Sequence, residues 1–323
     1  RSTLFPYTTL FRSSKRVCRW GILSTANIAR KNWLAIKKSE NAVVTAVASR
    51  SVEKARQYID ECNAHSSFDP KPVALGSYEE LLARPDIDAV YLPIPTGLRK
   101  EWVIRAAEAG KHVLAEKPIG SNVAEAIEMI DACKRNNVQF MDGVMFMHSQ
   151  RLNHLRETLN DGKSVGDLRR ITSQFSFCGS EEFAAANIRS SGELEPLGCL
   201  GDLGWYNVRF SLWVMNYQMP RRVAGRMLTE ARRPDSQSAV PTEFSGEIFF
   251  ENGVTASFYC SFRTGPQQWA IVSGTKGYVR LDDFVVPHYG NEISFTVTNS
   301  GLNQKSCDFN MEDHPRRVAI PEY

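Results

Sequence analysis

No stretch of this chain approaches the roughly eighteen uninterrupted apolar residues of a membrane span, and a bilayer is not expected among its partners. None of its seven cysteines, Cys18, Cys62, Cys133, Cys178, Cys199, Cys260 and Cys307, forms a Cys-x-x-Cys pair. That scatter offers neither a zinc knuckle nor a redox motif and reads as free core thiols in a reducing compartment. The six histidines, His65, His112, His148, His154, His288 and His314, show no metal-ligand spacing, so no metal is expected. Excess charge of one sign is absent as well: 39 basic against 36 acidic residues leave a net charge of +3. Nucleic acid and charged membrane surfaces therefore have no broad electrostatic claim on the chain. Repeats and low-complexity tracts are also missing. What remains is the composition of a globular cytoplasmic protein with a small-molecule partner.

Residues 1–13, Arg-Ser-Thr-Leu-Phe-Pro-Tyr-Thr-Thr-Leu-Phe-Arg-Ser, read as the translated adapter of a sequencing library. A targeting peptide is disfavoured, because the stretch lacks a continuous apolar core and a small-residue cleavage site. Without Arg1 and Arg12 the net charge falls to +1. The native N-terminus is then expected to be missing, and the stop at Pro321-Glu322-Tyr323 without a closing element suggests a C-terminal truncation.

Over residues 14–142, short apolar runs alternate with amphipathic segments at helical spacing, the pattern of a parallel sheet wrapped by helices. Strands are expected at 17–23, 43–48, 73–75, 89–92, 112–115 and 138–141. Ser77-x-x-Glu80 and Asn122-x-x-Glu125 read as capping boxes, and Gly110 as a left-handed helix end. After Gly143 one helical segment at 151–159 is followed by β-like runs at 168–177, 221–229, 242–250, 254–262, 269–274 and 278–281. Glu251-Asn252-Gly253 and Gly274-Thr275-Lys276-Gly277 are hairpin signals, the first because Asn-Gly tolerates positive φ at both central positions. The predicted fold class is α/β. A doubly wound Rossmann domain covers 14–142, and 143–323 form an α+β domain with a large, mostly antiparallel sheet and a helix from Asp202 to Val214.

Ser24-Thr25-Ala26-Asn27-Ile28-Ala29 follows the first strand where a nucleotide-binding domain has G-x-G-x-x-G/A. Ser24 and Ala26 stand in place of the first two glycines. Small side chains and a helix N-terminus still suit a pyrophosphate, although the Cβ of Ala26 is expected to push the phosphates outward. A plain strand, turn and helix is the competing reading. At the end of the second strand, Ser49-Arg50-Ser51 replaces the carboxylate that holds an unphosphorylated ribose. An arginine with two hydroxyls can bind a 2′-phosphate, so NADP is expected over NAD. The plainer alternative makes Arg50 a solvated residue opening a helix.

Two further segments carry reactive side chains. His112-Val113-Leu114-Ala115-Glu116-Lys117-Pro118 is an apolar strand that delivers one lysine to the rim of a sheet. Gly201-Asp202-Leu203-Gly204-Trp205-Tyr206 places Asp202 and Tyr206 four residues apart, on one helical face. Lys117, Asp202 and Tyr206 together suggest proton chemistry.

These residues resemble the glucose-fructose oxidoreductase, inositol dehydrogenase and rhizopine catabolism protein family (Gfo/Idh/MocA). The matching marks are Gly21-Ile22-Leu23 with Asn27-Ile28-Ala29, Val47-Ala48-Ser49-Arg50, Gly76-Ser77-Tyr78-Glu79-Glu80-Leu81-Leu82, Ile87-Asp88-Ala89-Val90-Tyr91, Ala109-Gly110-Lys111-His112-Val113-Leu114 and Glu116-Lys117-Pro118. The resemblance runs from Arg16 to Asp283. Residues 197–206 look most like the branch with NADP-dependent D-xylose dehydrogenase, dimeric trans-dihydrodiol dehydrogenase and uncharacterised plant and fungal oxidoreductases, which uses tyrosine where inositol dehydrogenase has histidine.

The resemblance implies hydride transfer between NADP and a hydroxyl carbon of a sugar, cyclic polyol or dihydrodiol, with Lys117 and Tyr206 carrying proton transfer. An ammonium beside a phenol favours phenolate, which suits Tyr206 as base and Lys117 as the group holding the substrate oxygen. Asp202 would orient Lys117 or a substrate hydroxyl, or else cap its own helix. Tyr206 is otherwise a core aromatic. The implied cofactor site comprises Ser24, Thr25, Ala26, Asn27, Ile28, Ser49, Arg50, Pro93, Pro95, Thr96, Glu116 and Lys117, and Pro118 follows a cis peptide. Arg99, often histidine in the family, reaches a phosphate or an acidic substrate, or is a solvated helix-start residue. Arg189 contacts substrate or forms a salt bridge. A homodimer through the second sheet is also implied. The alternatives are a non-catalytic NADP-binding regulator and an enzyme that recycles its cofactor in place during hydrolysis or epimerisation.

Overall fold

The computed structural model describes residues 17–287, 292–305 and 308–321. The adapter-like stretch, His288, Cys307, Glu322 and Tyr323 lie outside the described residues. The chain divides into two compact units, one formed by residues up to Ile94 with 98–116 and 123–141, the other by 95–97, 117–122 and the residues from Asp142 onward.

In the first unit, strands β1 (Cys18–Leu23), β2 (Ala42–Ala48), β3 (Val73–Leu75), β4 (Ala89–Leu92), β5 (His112–Ala115) and β6 (Phe140–Asp142) form one sheet, ordered β3-β2-β1-β4-β5-β6. Ladders β1–β2, β1–β4, β2–β3 and β4–β5 are parallel. All four residues of β4 are buried, as expected of a strand covered on both faces. Helices α1 (Asn27–Lys38), α2 (Val52–His65), α3 (Tyr78–Leu82), α4 (Thr96–Glu108) and α5 (Val123–Arg135) alternate with the strands. The sequence supplies their ends. Ser51 Oγ accepts from Lys54 N–H and Ser77 Oγ from Glu80 N–H, and Gly110 takes φ +73° past α4.

Strand order reverses between β1 and β4, the place where open α/β sheets bind ligands beyond their carboxyl ends. The first three strands end level there. Leu23 pairs with Ala48 and Ala48 with Leu75, and the ladder runs one bond further: Ser24 N–H donates to Ala48 O at 3.0 Å and Ser49 N–H to Leu75 O at 3.1 Å.

The second unit has an eight-stranded sheet of β7 (Leu168–Cys178), β8 (Arg222–Ala231), β9 (Val240–Phe249), β10 (Thr255–Ser261), β11 (Arg263–Gly274), β12 (Tyr278–Leu281), β13 (Glu292–Lys305) and β14 (Asp308–Pro321). Their order is β14-β13-β12-β11-β7-β10-β9-β8. Among the described residues, β7–β10 is its one parallel ladder. β13 and β14 lie beyond the runs read as strands, because their alternation is broken by polar residues such as Asn299, Asp313 and His314. In the β9–β10 hairpin only Gly253 has positive φ. Asn252 accepts Val254 N–H with its side chain, and the hairpin signal is borne out by the antiparallel β9–β10 pairing.

Helices α6 (Arg151–Asn160), α7 (Glu181–Ala186) and α8 (Trp205–Val214) complete this unit. The helix expected from Asp202 starts differently, as a π-helical turn at Leu200–Gly204 that leads into α8. The inner face of β7 meets α8 through Phe175, whose ring packs edge-on against Tyr206 at 5.5 Å, and through Ser173 Oγ, which accepts from Asn207 Nδ2 at 2.8 Å. Phe210 and Phe284 are buried in the same aromatic core. Burial of each such ring contributes about 2–3 kcal/mol, which fixes α8 on the sheet and with it the turn that carries Asp202.

Candidate active site

At the carboxyl end of β1, Ser24 adopts φ +129°, a conformation that glycine takes freely and a side chain resists. Its Oγ accepts Ala26 N–H at 3.1 Å, so the side chain that strains the turn also holds it. No side chain caps α1, and its first turn holds no acidic residue. Those free amides and the helix dipole suit a pyrophosphate, with Ser24, Thr25, Ala26, Asn27 and Ile28 lining the turn. Arg50 is exposed, and among the described residues no carboxylate pairs with it. Ser51 corrects one expectation. Its hydroxyl donates to Glu53 at 2.8 Å and accepts Lys54 N–H, so it caps α2 and is not a free phosphate donor.

Around Glu-Lys-Pro the side chains are held from several sides. Glu116 Oε1 accepts the hydroxyl of Tyr91 at 2.5 Å, and the Lys117–Pro118 peptide is cis. Lys117 Nζ donates to the Asp202 carbonyl at 2.6 Å and to Asp202 Oδ1 at 2.8 Å. The same ammonium stands over the Tyr206 ring, 4.8 Å from its centroid. Arg189 Nε donates to the other carboxylate oxygen, Asp202 Oδ2, at 2.7 Å. Lys117, Asp202 and Tyr206, brought together by sequence reasoning, are therefore in contact.

Asp202 is not a helix cap: both oxygens face cations, and neither the π-helical turn nor α8 has a side-chain cap. Arg189 forms the salt bridge that was one of its two readings. Burial opposes both charges of the central pair. For Lys117 it is outweighed by Asp202 and Tyr206, which hold the ammonium above the ordinary lysine range. For Asp202 it is outweighed by Lys117 and Arg189, which bring the carboxyl down to about 2. Lys117 is thus an ammonium at neutral pH. Tyr206 is both a buried ring of the aromatic core and the cation's neighbour.

Thr96 is fixed by an acid the sequence did not single out. Its N–H and hydroxyl donate to Glu195 at 3.1 and 2.6 Å, while Gly97 N–H donates to Leu194 O at 2.9 Å. Arg99 is buried and donates to Ile94 O at 2.6 Å, which corrects its solvated reading. Pro93 and Pro95 flank Ile94, itself buried. The bond of Tyr91 to Glu116 is hidden in an apolar strand that gives only a family mark, and Glu195 lies in an aperiodic loop that gives no signal.

Comparison with known proteins decides the family. Residues 18–144 match the oxidoreductase family with an NAD-binding Rossmann fold, and residues 152–280 match the GFO/IDH/MocA C-terminal domain. Trans-1,2-dihydrobenzene-1,2-diol dehydrogenase from Mus musculus is 31% identical over 271 residues, 83% of this chain and 76% of that protein. The chain belongs to the Gfo/Idh/MocA oxidoreductase family. Another Gfo/Idh/MocA relative, D-xylose 1-dehydrogenase (NADP(+)) 2 from Haloferax volcanii, is 32% identical over 80% of this chain and 74% of its own length. Among solved structures, a 3-ketoreductase from Actinomadura kijaniata in complex with NADP and TDP-benzene has TM-score 0.76 at 22% identity. The match covers 95% of this chain and 86% of that one, and at that identity the likeness is one of fold.

Proposed function

We propose that this protein is an NADP-dependent oxidoreductase acting on the hydroxyl carbon of a sugar, cyclic polyol or dihydrodiol. The observation that carries the reading is the Lys117 ammonium, bound by Asp202 and facing the Tyr206 ring. A non-catalytic nucleotide sensor has no use for that arrangement. Family membership and the dihydrodiol and xylose dehydrogenases among the relatives support the substrate class.

NADP, with Ser24, Thr25, Ala26, Asn27, Ile28, Ser49, Arg50, Pro93, Pro95, Thr96 and Glu116 as the residues proposed to bind it, would supply the hydride acceptor or donor. The remaining work falls to this chain's side chains. Lys117 stays charged at neutral pH, so it serves as an electrostatic and hydrogen-bonding anchor for the substrate oxygen while negative charge develops there. Tyr206 is then the group that takes the hydroxyl proton in oxidation and returns it in reduction. Asp202 keeps Lys117 charged and fixed, and Arg189 fixes Asp202.

The test is incubation of the purified protein with NADP and a panel of aldoses, cyclic polyols and dihydrodiols, followed by NADPH fluorescence. Turnover with at least one member is expected. Tight NADP binding without turnover on any substrate would assign the chain to nucleotide sensing instead.

A further inference from the structure

Three adjacent strands, β1, β2 and β3, end level, and the residues just beyond them form a row: Ser24, then Ser49-Arg50, then Gly76-Ser77-Tyr78. Two members of that row have been discussed as nucleotide ligands. The third has not. Tyr78 opens α3, packs edge-on against Trp102 at 4.8 Å, and has Ser24 and Arg50 close enough for both to act on its hydroxyl. Its ring thus rests on Trp102, and its hydroxyl lies within reach of both the first turn and the arginine after the second strand.

We propose that Tyr78 is a specificity residue for the cofactor, its hydroxyl donating to the ribose 2′-phosphate beside Arg50 and Ser49. The assignment rests on the NADP reading above. It fills a vacancy left by Ser51, whose hydroxyl is committed to Glu53 and to the cap of α2. The neighbouring carboxylates are also engaged locally, Glu53 by Ser51 and Glu80 by Gly76 N–H at 3.4 Å, so neither is left without a donor beside the incoming phosphate. Burial raises the Tyr78 hydroxyl above its ordinary range, against Ser24 and Arg50, which lower it. It therefore remains a neutral O–H donor, the form a phosphate oxygen accepts.

The experiment compares binding of adenosine 2′,5′-bisphosphate and adenosine 5′-monophosphate by calorimetry, with NADPH and NADH titrated by fluorescence. For Tyr78→Phe, the 2′-phosphorylated ligands are expected to weaken about tenfold, the loss of one hydrogen bond to a charged acceptor. The unphosphorylated ligands should be unchanged, and so should Tm. Tyr78→His, which keeps a donor, should recover part of the discrimination, and it also stands in should the Phe variant fold poorly. Equal weakening of both ligand classes, or no weakening of either, would overturn the proposal. Arg50→Ala separates the two claims: if wild type discriminates and this variant does not, the NADP reading stands whatever Tyr78 does. If wild type itself shows no preference, the NADP reading fails first.

Discussion

The Lys117 ammonium stands over the face of the Tyr206 ring, 4.8 Å from its centroid. One cation thus touches a ring whose hydroxyl is the proposed proton carrier, and the same cation is bound by the Asp202 carboxylate. Replacing Tyr206 with Phe keeps the ring and the cation–π contact and removes only the hydroxyl. Turnover should fall by at least about 100-fold with NADPH affinity nearly unchanged. Stopped-flow and fluorescence titration on the same preparation check both, and an unaltered kcat removes Tyr206 from the mechanism.

Asp202 gives the fold an acid limb. Its carboxyl lies at about 2 in the folded chain against an ordinary 3.8, so its ion pairs stabilise the protein above about pH 4. That contribution, on the order of 2 kcal/mol, is lost as pH falls toward 2. Lys117, raised above the ordinary lysine range, acts in the opposite sense: its contribution is full below that range and disappears only as pH rises through the folded value. Urea unfolding at a series of pH values should show the acid limb in wild type and a flatter one in Asp202→Asn. The variant is also expected to be less stable at neutral pH, since a buried ammonium loses a charged partner.

Arg50 should discriminate between cofactors. With no carboxylate partner among the described residues, its guanidinium is available to a 2′-phosphate. Arg50→Ala is expected to weaken NADP about 10- to 100-fold, the scale of a charge-assisted pair, and NAD far less. Parallel losses for the two cofactors, seen in paired equilibrium titrations, would sink the assignment.

Gly97 tests the clasp between Thr96 and Glu195. A Cβ built on Gly97 would lie 2.0 Å from Glu193 O, closer than any real contact, and the obstacle is backbone rather than a flexible side-chain end. Gly97→Ala should therefore destabilise by about 1–3 kcal/mol and lower Tm by several degrees. Thermal unfolding compared with an exposed control such as Gly301→Ala, whose Cβ meets nothing within 4 Å, would reveal an effect of the new contact.

Most of the first unit was legible because parallel strands buried on both faces announce themselves as unbroken apolar runs. β3, β4 and β5 have the expected bounds. Lys117, Asp202 and Tyr206 were legible from spacing and motif together. Other features required the third dimension. The π-helical turn at Leu200–Gly204 has no periodicity of its own within five residues, and Tyr91 looks like any β-strand aromatic until its hydroxyl is seen on Glu116. Arg99 reads as surface by its charge, yet the interior carbonyl of Ile94 accepts from it. Ser51 looked equivalent to Ser49, and only the geometry of α2 shows that it is already committed.

The level ends of β1, β2 and β3 make cofactor choice a modular trait. The sheet's ladder stops at Ser24 and Ser49, and beyond it lie Arg50, in the turn that leads into α2, and Tyr78, the first residue of α3. Nucleotide preference can therefore drift, or be redesigned, by editing the turns while the load of the fold stays on the strands beneath.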